Sequence, residues 1–260
     1  MSEPELESGH IRARTESQVL HVSLDRADKR NALTRAMYTD LRRCMDHAAD
    51  SDDVRAVLIA GEGEMFCAGN DIADFANVDP HEREDGAAGP ALAFIKALRA
   101  LDKPVVVAVQ GQATGIGTTL LLHADLVVAA DGARFYTAFI DLALVPEAAS
   151  SLLLPQLVGR QNAARLLLAG DTLDAAEAER MGLIAYRVPA IELGEHATAL
   201  AERLAAKPPE AVRLTKQLMR AGLGSDDVDG QIDREAKVFG ERLISDEVRE
   251  IMNRFLKRKG

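Results

Sequence analysis

The stretch KPVVVAVQGQATGIGTTLLLHADLVVAA, Lys103 to Ala130, decides how the chain is read. Its run VVVAV reads as a buried strand, the glycines at 111, 115 and 117 as a sharp turn, and the Leu-rich segment after them as a helix. A glycine-rich turn before a helix often holds phosphate, because the first N–H groups of the helix have no partners and face outward. The side chains for that task are missing here. The spacing is not that of the Lys-bearing P-loop, and Leu120 stands where the dinucleotide fingerprint needs its third glycine. The turn is therefore read as a cradle for something other than a free phosphate group.

Outward from this stretch, strands and helices alternate. VLHVSL (19–24) alternates apolar and more polar residues as a strand, and Thr34 caps a helix in which Met37, Leu41, Met45 and Ala48 recur at helical spacing. VRAVLIAGEG is a second buried strand that ends in glycines, followed by the loop MFCAGNDI. FANVDPHEREDGAAGP reads as a charged, Gly/Pro-containing loop, ALAFIKALRALD as a helix, and DLVVAAD and IAYRV as further strands. Beyond about residue 190 the pattern is helical only. The expectation is an α/β core over residues 1–200 and a helical region over 201–260, with Pro208-Pro209 marking a break.

The 260 residues, 47% of them hydrophobic, suffice for a continuous core. A formal net charge of -10 argues against a nucleic-acid surface. No apolar run approaches the ~20 residues that cross a bilayer, and the polar start MSEPELESGH is unlike a secretory or transit peptide, so the expectation is a cytoplasmic protein without a membrane partner. Cys44 and Cys67 fit a reducing compartment, and the scattered histidines give no metal spacing, so no metal is expected. Cys67 has no His, Lys or Arg near it in sequence and reads as a small core residue rather than a nucleophile.

CAGND and TGIGT each follow a buried strand and place backbone N–H groups at one edge of the core. Converging on one oxygen whose negative charge grows during a reaction, they would form an oxyanion hole, which needs no particular side chain. At this point the chain resembles the crotonase family, the enoyl-CoA hydratases and isomerases. The resemblance is carried by LDRADKRNAL, FCAGNDI, the stretch quoted above, PEAASSLLLPQLVG and AAEAERMGLI, in that order. It implies a spiral of β-β-α units with a carboxy-terminal helical region, assembly as trimers or pairs of trimers, and acyl-CoA thioester substrates with no separate cofactor.

By the same resemblance the oxyanion donors are the amides of Asn70 and Ile116, and the CoA moiety lies along backbone groups of Ala68, Asp71 and Ile72, with Lys29 and Lys257 as candidates for its phosphates. A solvated surface accounts equally for Lys29 and better for Lys257, and Asp71 fits loop stabilisation as well as ligand contact. Phe75 and Phe94 are candidates for the acyl channel, with core packing the alternative for Phe94.

The two glutamates of the family's hydratases fall on Thr119 and Phe139, and those residues cannot supply the base and acid that hydration needs. PEAASSLLLP instead is similar to the Δ3,Δ2-enoyl-CoA isomerase segment whose glutamate follows a proline, here Glu147. One carboxylate suffices to move a proton between two carbons of a dienolate. Apolar neighbours such as Leu144 and Val145 are expected to lift its pKa. The competing explanation is that Pro146 and Glu147 merely begin a helix. The reading is thus an enzyme shifting 3-enoyl-CoA to trans-2-enoyl-CoA, with hydratase or other crotonase chemistry as one alternative and a non-catalytic acyl-CoA binder as the other.

Overall fold

The computed structural model describes residues 3–76, 89–223, 228–243, 245, 246 and 248; most of the charged loop over 75–90, and Lys257, lie outside them. Two compact units are distinguished, residues 1–205 and 206–260. Among the described residues no helix is long and apolar enough to cross a membrane.

The first unit is built on a six-stranded sheet and a three-stranded one. The large sheet contains β1 (Ile11–Glu16), β2 (Val19–Leu24), β3 (Ala56–Gly61), β4 (Val105–Val109), β6 (Leu126–Ala130) and β9 (Tyr186–Val188), in the order β1-β2-β3-β4-β6-β9. Only β1 and β2 are antiparallel; the other pairs are parallel. The small sheet holds β5 (Gln112–Thr114), β7 (Arg134–Tyr136) and β8 (Leu173–Asp174). The chain moves from large to small sheet at β4–β5 and again at β6–β7. That repeated step is the spiral of a crotonase-like α/β fold.

Burial on both faces explains why the parallel strands read as unbroken apolar runs. Val105, Val107 and Val109 of β4 enter the main core, while Val106 and Ala108 face a second one. The main core is completed by helix α1 (Arg35–Asp50), whose Met37, Leu41, Met45 and Ala48 are buried, and by Phe94, Ile95 and Leu98 of a later helix (Gly89–Ala100). Thr34 caps α1 by accepting a hydrogen bond from the Met37 amide. The second core lies under the helix Leu193–Ala205, through Ala197, Leu200 and Ala201. In the second unit the described helices are Pro209–Gly222 and Val228–Leu243.

One expectation needs correction. The Leu-rich segment after the glycine turn is not a full helix but a single α-turn, Ile116–Thr119, followed by a 3₁₀ turn at Leu120–His123. The chain must rejoin the large sheet at once: the Asp125 amide donates to the Val105 carbonyl and the Asp125 carboxylate accepts from the Val105 amide. So short a helix has little macrodipole, which places the weight of any anion binding here on individual N–H groups.

Candidate active site

Two loops are held in parallel by backbone pairing. Cys67 bridges Ala113, with the Cys67 amide donating to the Gln112 carbonyl and the Thr114 amide donating to the Cys67 carbonyl. Gly69 lies against the other loop as well, since a β-carbon there would be 3.2 Å from the Thr114 carbonyl oxygen. The approach is close enough to require glycine at 117, where a β-carbon would lie 2.9 Å from the Cys67 carbonyl oxygen and 2.9 Å from its β-carbon. Gly69, at φ +97°, lies in a region that only glycine enters readily.

Peptide planarity fixes where the next amides point, because an N–H lies trans to the carbonyl of the preceding residue. The Gly69 carbonyl accepts from the Leu33 amide, which aims the Asn70 N–H away from Leu33. The Gly115 carbonyl accepts from the Thr118 and Thr119 amides, which aims the Ile116 N–H back out of that turn. Neither the Asn70 nor the Ile116 amide donates to a protein acceptor among the described residues. A pair of unspent amides on adjoining loops is the arrangement an oxyanion hole requires.

Glu147 reaches this place from a different segment. The hydroxyl of Thr119, at the end of the turn that begins at Ile116, donates to Glu147 Oε1 at 2.5 Å. The carboxylate therefore sits against Thr119, the residue onto which the family resemblance places a hydratase glutamate. Glu147 does not begin a helix. Helix Ser150–Val158 starts three residues later, after Ala148 and Ala149, whose φ values of 52° and 55° put two consecutive alanines in the left-handed region. This strained elbow is pinned on both sides: the Ser150 amide and hydroxyl donate to the Glu147 carbonyl, and His123 Nε2–H donates to the Ala148 carbonyl at 2.9 Å. A helix-start role for the Pro146-Glu147 pair is thus not what the geometry displays.

Burial raises the Glu147 pKa above the ordinary glutamate value, and the Thr119 hydrogen bond pulls it partly back. Leu144 and Val145 are not the cause, since both are exposed. Replacing Thr119 by Val removes the group that favours the carboxylate and should raise this pKa further. If the carboxylate is the working form, the acid limb of the kcat/KM profile moves to higher pH in Thr119→Val; an unmoved limb would show that Glu147 does not set it.

Sequence reading missed Tyr38. It is buried on α1, its ring centroid is 6.2 Å from that of Phe94, and its hydroxyl donates to the Asn70 side-chain oxygen. Burial raises its pKa strongly, and the nearby Glu147 carboxylate adds to the effect. The signal was present in MYTDL, because a tyrosine on the apolar face of a helix needs a partner for its hydroxyl. Phe94 itself is fully buried core. Cys67 is buried as well, and burial pushes its thiol up to about 12, away from nucleophilic use at neutral pH.

The segment LDRADKRNAL runs alongside FCAGNDI. The Ala68 amide donates to the Arg30 carbonyl, the Asp71 amide to the Leu33 carbonyl, and Arg26 pairs with Asp71 at 2.6 Å. Asn31, fully buried, donates to the carbonyls of Glu62 and Met65 and accepts from the Arg26 amide. The Asp71 carboxylate also accepts from the Ala73 and Asp74 amides at the start of helix Ile72–Ala76, so its side chain stabilises the loop, and Arg26 holds its pKa down. With the amides of Ala68 and Asp71 committed, the carbonyls are what these residues can offer a ligand. Lys29 is exposed on the turn Ala27–Lys29, and Ile72 is exposed beside the same loop.

Comparison with known proteins agrees with this architecture. Residues 14–260 match the family model described as enoyl-CoA hydratase/isomerase. The chain is 34% identical over 229 residues to 1,2-epoxyphenylacetyl-CoA isomerase of Escherichia coli K12, covering 86% of this chain and 87% of that protein. It is 30% identical over 255 residues to enoyl-CoA delta isomerase 2 of Rattus norvegicus, covering 97% of this chain and 65% of that one. A solved structure from Magnetospirillum magneticum AMB-1, whose name pairs enoyl-CoA hydratase with carnithine racemase, superposes with a TM-score of 0.91 at 38% identity and 97% coverage of both chains. Both hydratase and isomerase names thus occur among its relatives, and the chain belongs to the enoyl-CoA hydratase/isomerase family, with the crotonase fold.

Proposed function

We propose that the protein converts 3-enoyl-CoA to trans-2-enoyl-CoA. The carboxylate of Glu147 takes a proton from C2, and the electron pair moves through C1 so that negative charge collects on the thioester oxygen. The amides of Asn70 and Ile116 hold that oxygen as a dienolate. Glu147 returns the proton to C4, the double bond settles between C2 and C3, and no external redox partner enters. Each oxyanion donor is worth about 3 to 4 kcal/mol of transition-state stabilisation in comparable sites. The CoA moiety is proposed to run past the carbonyls of Ala68 and Asp71, with Ile72 beside it and Lys29 available to its phosphates.

The observation that carries the reading is the Thr119–Glu147 hydrogen bond. It couples one carboxylate to the turn bearing Ile116, while Thr119 and Phe139 bring no ionisable group for hydration. The test is direct. Purified protein is given 3-enoyl-CoA and, separately, 2-enoyl-CoA, and the conjugated thioester and the 3-hydroxyacyl-CoA are followed. Conjugated product without hydroxy product is expected; hydroxy product alone would make the protein a hydratase, and no exchange of solvent deuterium into bound acyl-CoA would make it a binder.

We further propose self-assembly as a homotrimer or a dimer of trimers in the cytoplasm. Leu142, Val145, Leu152 and Leu168 in and around the elbow segment are more than half exposed, a cost that a subunit contact would remove. Sedimentation velocity should return three or six chain masses; a single-chain mass at micromolar concentration would contradict it.

A further inference from the structure

Asn70 is exposed and follows a glycine at φ +97°, so hydrogen bonds rather than packing of its side chain set its conformation. Two kinds of restraint act on it. The Gly69 carbonyl and the Asp71 amide are tied to Leu33, which sets the backbone on either side. The side chain is tied separately, by the hydroxyl of Tyr38 donating to its Oδ1. Tyr38 can serve as a fixed post because it lies on α1 near its Thr34 cap, is almost wholly buried, and packs its ring beside Phe94.

We infer that Tyr38 is a positioning residue for the oxyanion hole: through its hydrogen bond to the Asn70 side chain, it holds the Asn70 amide on the thioester oxygen. This rests on the proposed role of Asn70 and Ile116, and extends it to a residue that acts through the Asn70 side chain. A hydroxyl kept only to satisfy a buried ring would stabilise the fold without changing how strongly the bound carbonyl is polarised. A hydroxyl that aims the amide changes that polarisation.

The test uses Tyr38→Phe, which keeps the ring, and Asn70→Ala, which removes the acceptor but keeps the backbone amide. The probe is hexanoyl-CoA labelled with carbon-13 at C1, a saturated thioester that does not turn over, and the readout is its carbonyl stretch by infrared difference spectroscopy. Wild type should lower the frequency relative to free thioester. Tyr38→Phe and Asn70→Ala should each lose a substantial part of that shift, and the double variant should lose no more than Asn70→Ala alone. In turnover of 3-hexenoyl-CoA, Tyr38→Phe should reduce kcat about tenfold with KM changed less than twofold. A wild-type shift preserved in Tyr38→Phe, or additive losses in the double variant, overturns the role of Tyr38 and leaves the oxyanion hole standing. No shift in wild type, or no binding of the probe, overturns the oxyanion-hole reading and this inference with it.

Discussion

Glu147→Gln is expected to lower the rate of double-bond migration by two to four orders of magnitude, the range typical for loss of a general acid–base group. Gln keeps the shape and can still accept the Thr119 hydrogen bond, so binding of a CoA thioester, measured by calorimetry, should stay within a few-fold of wild type. The same substitution carries a stability signature. Burial raises the folded-state pKa of Glu147 above its ordinary value of 4.5, so ionisation costs the folded state free energy that the unfolded chain does not incur. That cost is absent below the unfolded pKa and grows as pH rises through the folded one. Glu147→Gln should therefore melt higher than wild type at pH 7, and the gap should close on approach to pH 4. Retained turnover would place the base elsewhere; an unchanged melting difference across that range would show that the carboxylate is not a strained charge.

The second large effect is expected from Gly117→Ala. The added β-carbon meets the Cys67 backbone oxygen and β-carbon at 2.9 Å, and one of the two paired loops must move. Overpacking of this kind costs about 1 to 3 kcal/mol of stability. The larger consequence is catalytic, because the moving segment carries one of the two unspent amides, and loss of one such donor lowers kcat about 10²- to 10³-fold. Gly132→Ala is the matched comparison. Its β-carbon meets nothing within 4 Å, and both melting temperature and kcat should stay close to wild type. Equal behaviour of the two variants would show that the contact between the loops is not what sets the rate.

Much of the fold was legible because its parallel strands are buried on both faces, so VVVAV and DLVVAA announce themselves without alternation. β1 was not. It is an edge strand of polar composition, and the two-residue turn joining it to β2 uses Ser17 and Gln18, both at positive φ, where a hairpin signal would ordinarily be Asn-Gly. β5, β7 and β8 span two or three residues each, too few for any period to register. The leucines at 120 to 122 suggested a helix because a Leu-rich segment follows the glycine turn, and Leu is a strong helix former. The return of Asp125 to Val105, a long-range pairing, is what cuts it short.

At the site, the glycines marked two loops that permit close backbone approach, and the resemblance to the crotonase family singled out the amides of Asn70 and Ile116 on them. The partner of Glu147 was not marked in this way. Thr119 reads in sequence as a missing carboxylate, and only three-dimensional closure reveals it as the donor that receives a carboxylate from residue 147. Nor does anything in VPEAASS predict two left-handed alanines, which His123 and Ser150 help to hold in place. Tyr38 left a trace, a hydroxyl on the apolar face of α1 that needs a partner, but its partner, the Asn70 side chain, is visible only in three dimensions.

The central claim is that one carboxylate serves two carbons beneath one polarised oxygen. A crystal structure with a bound, non-reacting CoA thioester measures it most directly. The account predicts the thioester oxygen within hydrogen-bond reach of the Asn70 and Ile116 amides, and a Glu147 oxygen about 3 to 3.5 Å from both C2 and C4. A thioester oxygen bound elsewhere, or Glu147 swung into bulk solvent away from the acyl chain, would contradict it.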